Sequence, residues 1–100
     1  MAKSRCVICG STKDVEQNHV GGRNHIAWFT MPFCRPHHDQ FHALARAAGI
    51  ELRYTSDPID RAVRVQKLLL IVHCMILEYI QRAKNRKVLK KAKANTTRSR

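Results

Sequence analysis

The chain has 100 residues, and its 19 Lys and Arg outweigh seven Asp and Glu to give a net charge of +12 at pH 7. This length predicts one small domain with a modest core, and a hydrophobic share of 44% argues against a fully disordered chain. So large a positive charge predicts a polyanionic partner, most often nucleic acid, with anionic lipid or simple solubility as the alternatives.

The absence of secretory and membrane signals predicts a cytoplasmic protein. The residues before Cys6 are polar and basic, with no apolar stretch typical of a secretory signal. The longest apolar run, residues 68–77, is far shorter than the ~20 residues that span a bilayer, so it predicts a buried helix segment. In a cytoplasmic chain, a C-x2-C pair indicates metal or redox chemistry before it indicates a disulfide.

The first half of the chain predicts a ββα unit over residues 1–49. Residues 15–20 and 27–33 have the composition of short strands, with Gly21 and Gly22 as turn residues between them. A helix is expected over residues 36–48, with Pro36 in its first turn and Gly49 as its stop. The predicted fold class is therefore α+β: a ββα unit, stabilised by the zinc site described below, followed by a long C-terminal helix and a basic tail.

The second half predicts a connector over residues 50–57 and a long helix over residues 58–88, with Asp57 as its N-cap. Apolar residues recur every three to four positions in a band wider than the small unit can cover, so part of it could pack on a second copy as a homodimer. From Arg82 onward there are nine Lys or Arg and no acid. Residues 89–100 predict a basic, disordered tail.

Four residues have the spacing of a zinc site: Cys6 and Cys9 form C-x2-C, and Cys34 and His37 form C-x2-H. Two such pairs can supply the four vertices of a closed tetrahedral site. The alternative is three unconnected buried cysteines. The fourth cysteine, Cys74, is expected to be a small core residue of the long helix.

Further histidines suggest a second metal site. His38 and His42 are four residues apart on one helix face and can chelate a divalent ion. His19 ends the first predicted strand, and its neighbour Asn18 offers a neutral oxygen ligand. Such a set suits phosphodiester cleavage, in which a divalent ion stabilises charge on the phosphate and a neutral imidazole takes a proton from water. His25 is expected in a surface loop and His73 in the helix core.

The run CVICG…QNHVGGRN…FTMPFCRPHHDQFH, residues 6–42, resembles the HNH endonuclease superfamily, in particular compact phage-type members that combine a zinc knot with a ββα-metal unit. The resemblance implies His19 as general base, Asn24 and His38 as further catalytic residues, and His38 and His42 as metal ligands. Asn18 stands where the family usually has Asp or His, and an amide oxygen binds Mg²⁺ more weakly than a carboxylate does. The implied cofactors are structural Zn²⁺ and catalytic Mg²⁺ or Mn²⁺, with Ni²⁺ or Zn²⁺ as softer alternatives.

The implied activity is metal-dependent hydrolysis of DNA, by nicking or double-strand cleavage, that leaves 5′-phosphate and 3′-hydroxyl ends. The resemblance to phage-type members also implies a bacterial or phage-infected host cell. Two alternatives stay open: a zinc-stabilised nucleic-acid-binding module with a weak or inactive metal site, and an interaction protein whose basic tail docks on an acidic protein partner. Backbone contacts with little sequence specificity are expected. The residues expected to bind phosphates are Arg23, Arg35, Arg46, Arg61, Arg64, Lys67, Arg82, Lys84, Arg86, Lys87, Lys90 and Lys91.

Overall fold

The structure is a computed structural model that describes residues 4–98, and the side chains of residues 4–92. It is α+β, as the sequence predicts, and its elements follow in the order β1 (Val15–Asn18), β2 (Met31–Cys34), α1 (Arg35–Ala47) and α2 (Pro58–Arg98). The length of α2 extends the molecule to 67 Å in one direction, against 34 and 16 Å in the other two.

The two strands form an antiparallel pair in which Val15 lies opposite Cys34 and Asn18 opposite Met31. Both strands differ from the expected bounds. β1 ends at Asn18 rather than at residue 20, and β2 begins at Met31 rather than at residue 27 and includes Cys34.

Turns in the loop between the strands explain the shorter hairpin. The backbone N–H of Ile26 donates to the carbonyl of Gly22 at 3.0 Å, and that of Phe29 donates to the carbonyl of Ile26 at 3.1 Å. Backbone groups engaged in local turns cannot also pair with β1, so the predicted start of β2 becomes a compact loop.

Helix α1 follows β2 without a connecting loop. It begins at Arg35, one residue before the predicted start, with Pro36 in its first turn. It ends at Ala47, and Gly49 then adopts a left-handed conformation with φ of 69°, which confirms its predicted role as the stop.

Helix α2 begins as predicted and continues further. The backbone N–H of Ile59 donates to Asp57 Oδ1 at 3.0 Å, so Asp57 caps the helix. The helix extends to Arg98, so most of the segment expected to be a disordered tail is helical, while residues 99 and 100 lie outside the described part. A run of Lys, Arg, Ala and Leu without Gly or Pro favours this continuation.

The core lies between the hairpin, α1 and one face of α2. Its fully buried members from the ββα unit include Val20, Phe33 and Phe41, and the Phe33 and Phe41 rings meet edge to face with centroids 5.8 Å apart. Helix α2 contributes Leu68, Val72 and Met75.

Two sequence expectations for α2 are wrong. Cys74 and His73, expected in the core, are exposed because the ββα unit covers only the face of α2 that contains Leu68 and Val72. Among residues 4–98, no helix is long and apolar enough to cross a bilayer.

The packing of α2 on the unit can be tested with two leucine substitutions on the same helix. Leu68→Ala removes a fully buried side chain and is expected to lower the free energy of unfolding by about 2–5 kcal/mol. Leu89→Ala removes an exposed side chain and is expected to change it by no more than about 0.5 kcal/mol. Urea unfolding measures both, and equal effects would contradict this packing.

Candidate metal centres

The four residues with zinc-ligand spacing come together in the structure. The ligand atoms of Cys6, Cys9, Cys34 and His37 all lie within 4.8 Å of one another. The first two lie in an N-terminal turn that the Gly10 N–H closes on the carbonyl of Cys6 at 2.8 Å. The other two lie at the junction of β2 and α1. The predicted set thus forms a Cys3His group that is close enough to hold a metal ion.

Two of the distances within the group match those around a tetrahedral ion. The Sγ atoms of Cys9 and Cys34 are 3.8 Å apart, and Cys6 Sγ lies 3.6 Å from His37 Nδ1. Ligands at ~2.3 Å for sulfur and ~2.0 Å for nitrogen around tetrahedral zinc are separated by about 3.8 Å and about 3.6 Å respectively. A disulfide would require ~2.05 Å between sulfurs, and these cysteines are free. The geometry is therefore consistent with structural zinc.

The start of α1 explains why Cys34 and His37 meet. Cys34 is the N-cap residue, and its side chain makes no capping hydrogen bond, so its sulfur is available as a ligand. The N-cap side chain and the side chain three residues later lie on the same side of a helix start, which brings Cys34 Sγ to 3.2 Å from His37 Nδ1. The Val7 N–H donates to the carbonyl of Pro32 at 2.8 Å and holds the N-terminal turn against β2.

Thiol ionisation in the group also favours a cation. Burial disfavours a thiolate at Cys6, but backbone N–H groups and His37 outweigh that effect and lower the pKa of Cys6 to about 6. Burial, together with the neighbouring Cys6 and Cys9 sulfurs, raises the pKa of Cys34 to about 11. The Cys6 thiolate therefore forms readily, while a second thiolate at Cys34 is disfavoured. A divalent cation between the two sulfurs would favour both thiolates, because it attracts each negative charge.

A second group of chemically active side chains lines a cavity of about 330 Å³ between the end of β1, the loop after it and α1. All five residues that the sequence singles out for catalysis or for the catalytic ion contribute to it. The lining consists of Gln17, Asn18, His19, Gly22, Arg23, Asn24, His38, Phe41, His42 and Leu52.

The end of β1 allows Asn18 and His19 to reach this cavity together. Neighbouring residues of a continuing strand would point to opposite faces. Here the chain turns at once, because the Val20 N–H donates to the carbonyl of Asn18 and the Gly22 N–H to that of His19, both at 2.9 Å. Gly22 has φ of 94°, and a Cβ there would lie 2.7 Å from His25 Cδ2, so the turn requires glycine.

His38 and His42 present their Nε2 atoms to each other at 2.9 Å. Two nitrogen ligands at ~2.1 Å in adjacent octahedral positions are separated by about 3.0 Å, so this spacing fits one shared ion. Burial, followed by the positive charges of His38 and Arg46, lowers the pKa of His42. A lowered pKa keeps that imidazole neutral, as metal binding requires.

Glu16 lies beside the histidine pair, a contact that the sequence did not indicate. Its Oε2 lies 3.5 Å from His38 Nδ1, and its Oε1 lies 3.5 Å from Arg35 Nη1. A carboxylate beside Nδ1 favours the tautomer in which the Nε2 of His38 is free to bind a metal. Strand periodicity could have suggested this residue, because Glu16 and Asn18 are two positions apart in β1.

The two asparagines have different environments. Asn18 is buried, and its Nδ2 has no hydrogen-bond partner in the described part of the chain. Asn24 is exposed, and its Nδ2 donates to the carbonyl of Leu52 at 3.0 Å. Asn24 thus holds the loop against the connector before α2. The Asn18 amide, in contrast, is a buried polar group without a partner, in the cavity that His38 and His42 also line.

His25 is not the surface residue that the sequence suggested. It is buried, with Nε2 3.4 Å from the carbonyl of Glu51, because the loop folds back onto the connector. Together with the bond from Asn24, this contact fixes the wall of the cavity.

The basic residues expected to bind phosphates are exposed, except for Arg64, which is half-buried. Arg64 pairs with Asp60 at 2.6 Å and donates to the carbonyl of Arg53 at 2.8 Å, so its guanidinium is already engaged within the chain. Arg82 pairs with Glu78 at 2.6 Å.

Comparisons of the chain with protein-family models, with curated proteins and with solved structures found no match.

The Cys3His group can be tested with two cysteine substitutions. Cys34→Ser removes a ligand, and we expect the purified variant to lose a stoichiometric zinc ion and its cooperative thermal unfolding, because zinc affinity contributes directly to folding. Cys74→Ser removes an exposed thiol outside the group and is expected to keep both. Metal analysis and calorimetry measure these properties. Full zinc content in Cys34→Ser would contradict the assignment.

Proposed function

We propose that this chain is a metal-dependent endonuclease of the HNH type that hydrolyses phosphodiester bonds of DNA. The observation that carries the proposal is the single cavity shared by Asn18, His19, Asn24, His38 and His42. These residues come from β1, the following loop and α1, so the fold gathers a set that the sequence spreads over 25 positions.

The donor set fits a divalent ion. His38 and His42 offer two nitrogens at the spacing of adjacent ligands, and Asn18 offers an amide beside them. The Nδ2 of Asn18 has no hydrogen-bond partner, whereas a buried amide normally has its hydrogen bonds satisfied. This supports a bound group in the cavity as the partner of the Asn18 amide. Rotation of that amide about its last bond exchanges nitrogen for oxygen, which a cation would favour.

The chain's own groups would then act as follows. His19, at the end of β1, would accept a proton from the attacking water, the general-base role that histidine fills most often in enzymes. Arg23 on the cavity wall would bind a phosphate oxygen, and Glu16 would hold His38 in its ligand tautomer. A divalent ion bound by the histidines would supply charge stabilisation for the scissile phosphate and the leaving 3′ oxygen.

The Cys3His group has a structural role in this proposal, with zinc as its ion. All four ligands come from the protein, which is typical of a closed site without a position for substrate. Zinc there would fix the start of α1. Successive helical residues differ by about 100°, so His38 and His42 are directed away from the zinc group and toward the cavity.

The partner is proposed to be DNA held through its backbone. Exposed basic residues occur beside the cavity, on α1 and along α2, and binding through them would weaken steeply as salt rises. A DNA-binding module without catalysis is the rival function, and Asn18 is the residue that favours it. An amide in place of a carboxylate leaves the ion site with no negative ligand.

The proposed activity can be tested by nicking of supercoiled plasmid with Mg²⁺, Mn²⁺ or Ni²⁺. We expect nicking by the intact chain and a loss of about 10²–10⁴-fold in rate for His19→Ala, because the general base is removed. His73→Ala, an exposed histidine on α2, is the matched control and is expected to retain the rate. Absence of nicking with every ion, alongside salt-sensitive DNA binding, would reject the enzyme and favour the binding module.

Glu16→Gln tests the support of His38. The substitution keeps the shape of the side chain and removes its charge, and we expect metal affinity or nicking rate to fall about 10–100-fold. Titration of Mn²⁺ in the nicking assay separates the two effects, because a change in affinity is recovered at high ion concentration. An unchanged titration curve would exclude this role for Glu16.

A further inference from the structure

Helix α2 has a second apolar face that no other part of the described chain covers. Leu68, Val72 and Met75 define the face packed on the ββα unit. At about 100° per residue, five other apolar residues fall within about 40° of one another on the opposite face. They form the outer stripe: Ile59 (75% exposed), Val63 (40%), Leu70 (57%), Leu77 (47%) and Val88 (65%).

The outer stripe is long and continuous with an apolar groove. It extends over about 44 Å of helix at ~1.5 Å per residue. Beside its middle lies a groove of about 380 Å³ between α1 and α2, which Leu44, Ile50 and Ile71 line together with Leu70 and Cys74. A contiguous apolar surface of this kind on a small, highly charged domain is typical of a protein interface.

We propose that the outer stripe is the interface of an antiparallel homodimer, with the two-fold axis between His73 and Cys74. This inference does not depend on the proposed nuclease activity. In this register, Leu70 faces Leu77 of the second copy and Ile59 faces its Val88. Each apolar residue of the stripe then meets an apolar residue, apart from Val63, which meets the aliphatic stem of Lys84.

Charge decides between the antiparallel and parallel arrangements. On the flank of the stripe, Lys67 and Glu78 are both exposed. The antiparallel register places Lys67 of one copy two residues, about 3 Å along the axis, from the level of Glu78 of the other, which also pairs with Arg82 of its own chain. A parallel pair in register would instead bring like charges to the same level, Lys67 with Lys67 and Lys84 with Lys84. It would also superpose the two basic segments that begin at Arg82, at a cost in repulsion that the antiparallel pair avoids.

Cys74 lies next to the proposed axis. With helix axes ~8–10 Å apart, the two Cys74 Cα atoms would be about 6 Å from each other, because the axis relates them on one side of the interface. That separation would leave the thiols of the two copies within reach of a short cross-linker. It also explains why this cysteine is exposed in the single chain, where the partner surface is absent from its outer face.

The first test is the oligomeric state of the full chain by sedimentation velocity. We expect a dimer for the intact chain and a halved mass for the double variant Leu70→Glu with Leu77→Glu. Both side chains are exposed in the single chain, so circular dichroism should remain unchanged. Leu89→Glu alters an equally exposed leucine about 100° away from the stripe and is expected to remain dimeric. A monomeric intact chain, or a double variant that remains dimeric, would overturn the proposal.

The second test fixes the register. In a Cys74→Ser background, chains with Ile59→Cys and chains with Val88→Cys are mixed and treated with a short bis-maleimide. The antiparallel register predicts links between positions 59 and 88 of different chains, identified by mass spectrometry of the peptides. Links between two copies of position 59, in a sample that contains only the Ile59→Cys chain, would overturn the antiparallel arrangement.

Discussion

The junction between β2 and α1 is the point on which the rest of the molecule depends. Cys34 ends β2, occupies the N-cap position of α1 and contributes a sulfur to the Cys3His group. A metal ion held by this group, whose members come from the N-terminal turn and from this junction, would fix both the position and the rotation of α1. In a domain with so small a core, four bonds to such an ion would contribute as much to stability as several buried leucines do.

The rotation of α1 links the metal-binding group to the cavity. His37 faces the cysteines. The next residue in the chain, His38, lies with His42 on the cavity wall instead. The turn after β1 completes the arrangement because it brings Asn18 and His19 to the same wall. The Cys3His group and the cavity therefore share one short helix while their residues remain separate, and a distortion of one would shift the other.

Helix α2 has one covered and one uncovered apolar face. Its inner face supplies the apolar surface that the ββα unit needs to bury Phe33 and Phe41. Its outer face remains apolar although it lies in solvent in the single chain. A second apolar face lowers the solubility of the chain. The large positive charge of the C-terminal segment of α2 offsets this effect, because like-charged surfaces repel one another.

The sequence by itself determined the elements whose causes are local. The two ligand pairs follow from spacing, the bounds of α1 from Pro36 and Gly49, and the start of α2 from its cap at Asp57, because each depends on a few neighbouring residues. Tertiary structure decided what depends on distant contacts. Burial of His25 comes from the connector that folds over the loop, the place of Glu16 beside His38 comes from the packing of α1 on β1, and the exposure of Cys74 comes from which face of α2 the small unit can cover. A periodic apolar pattern shows that a helix has two faces to cover, but only the packed chain shows which of them remains open.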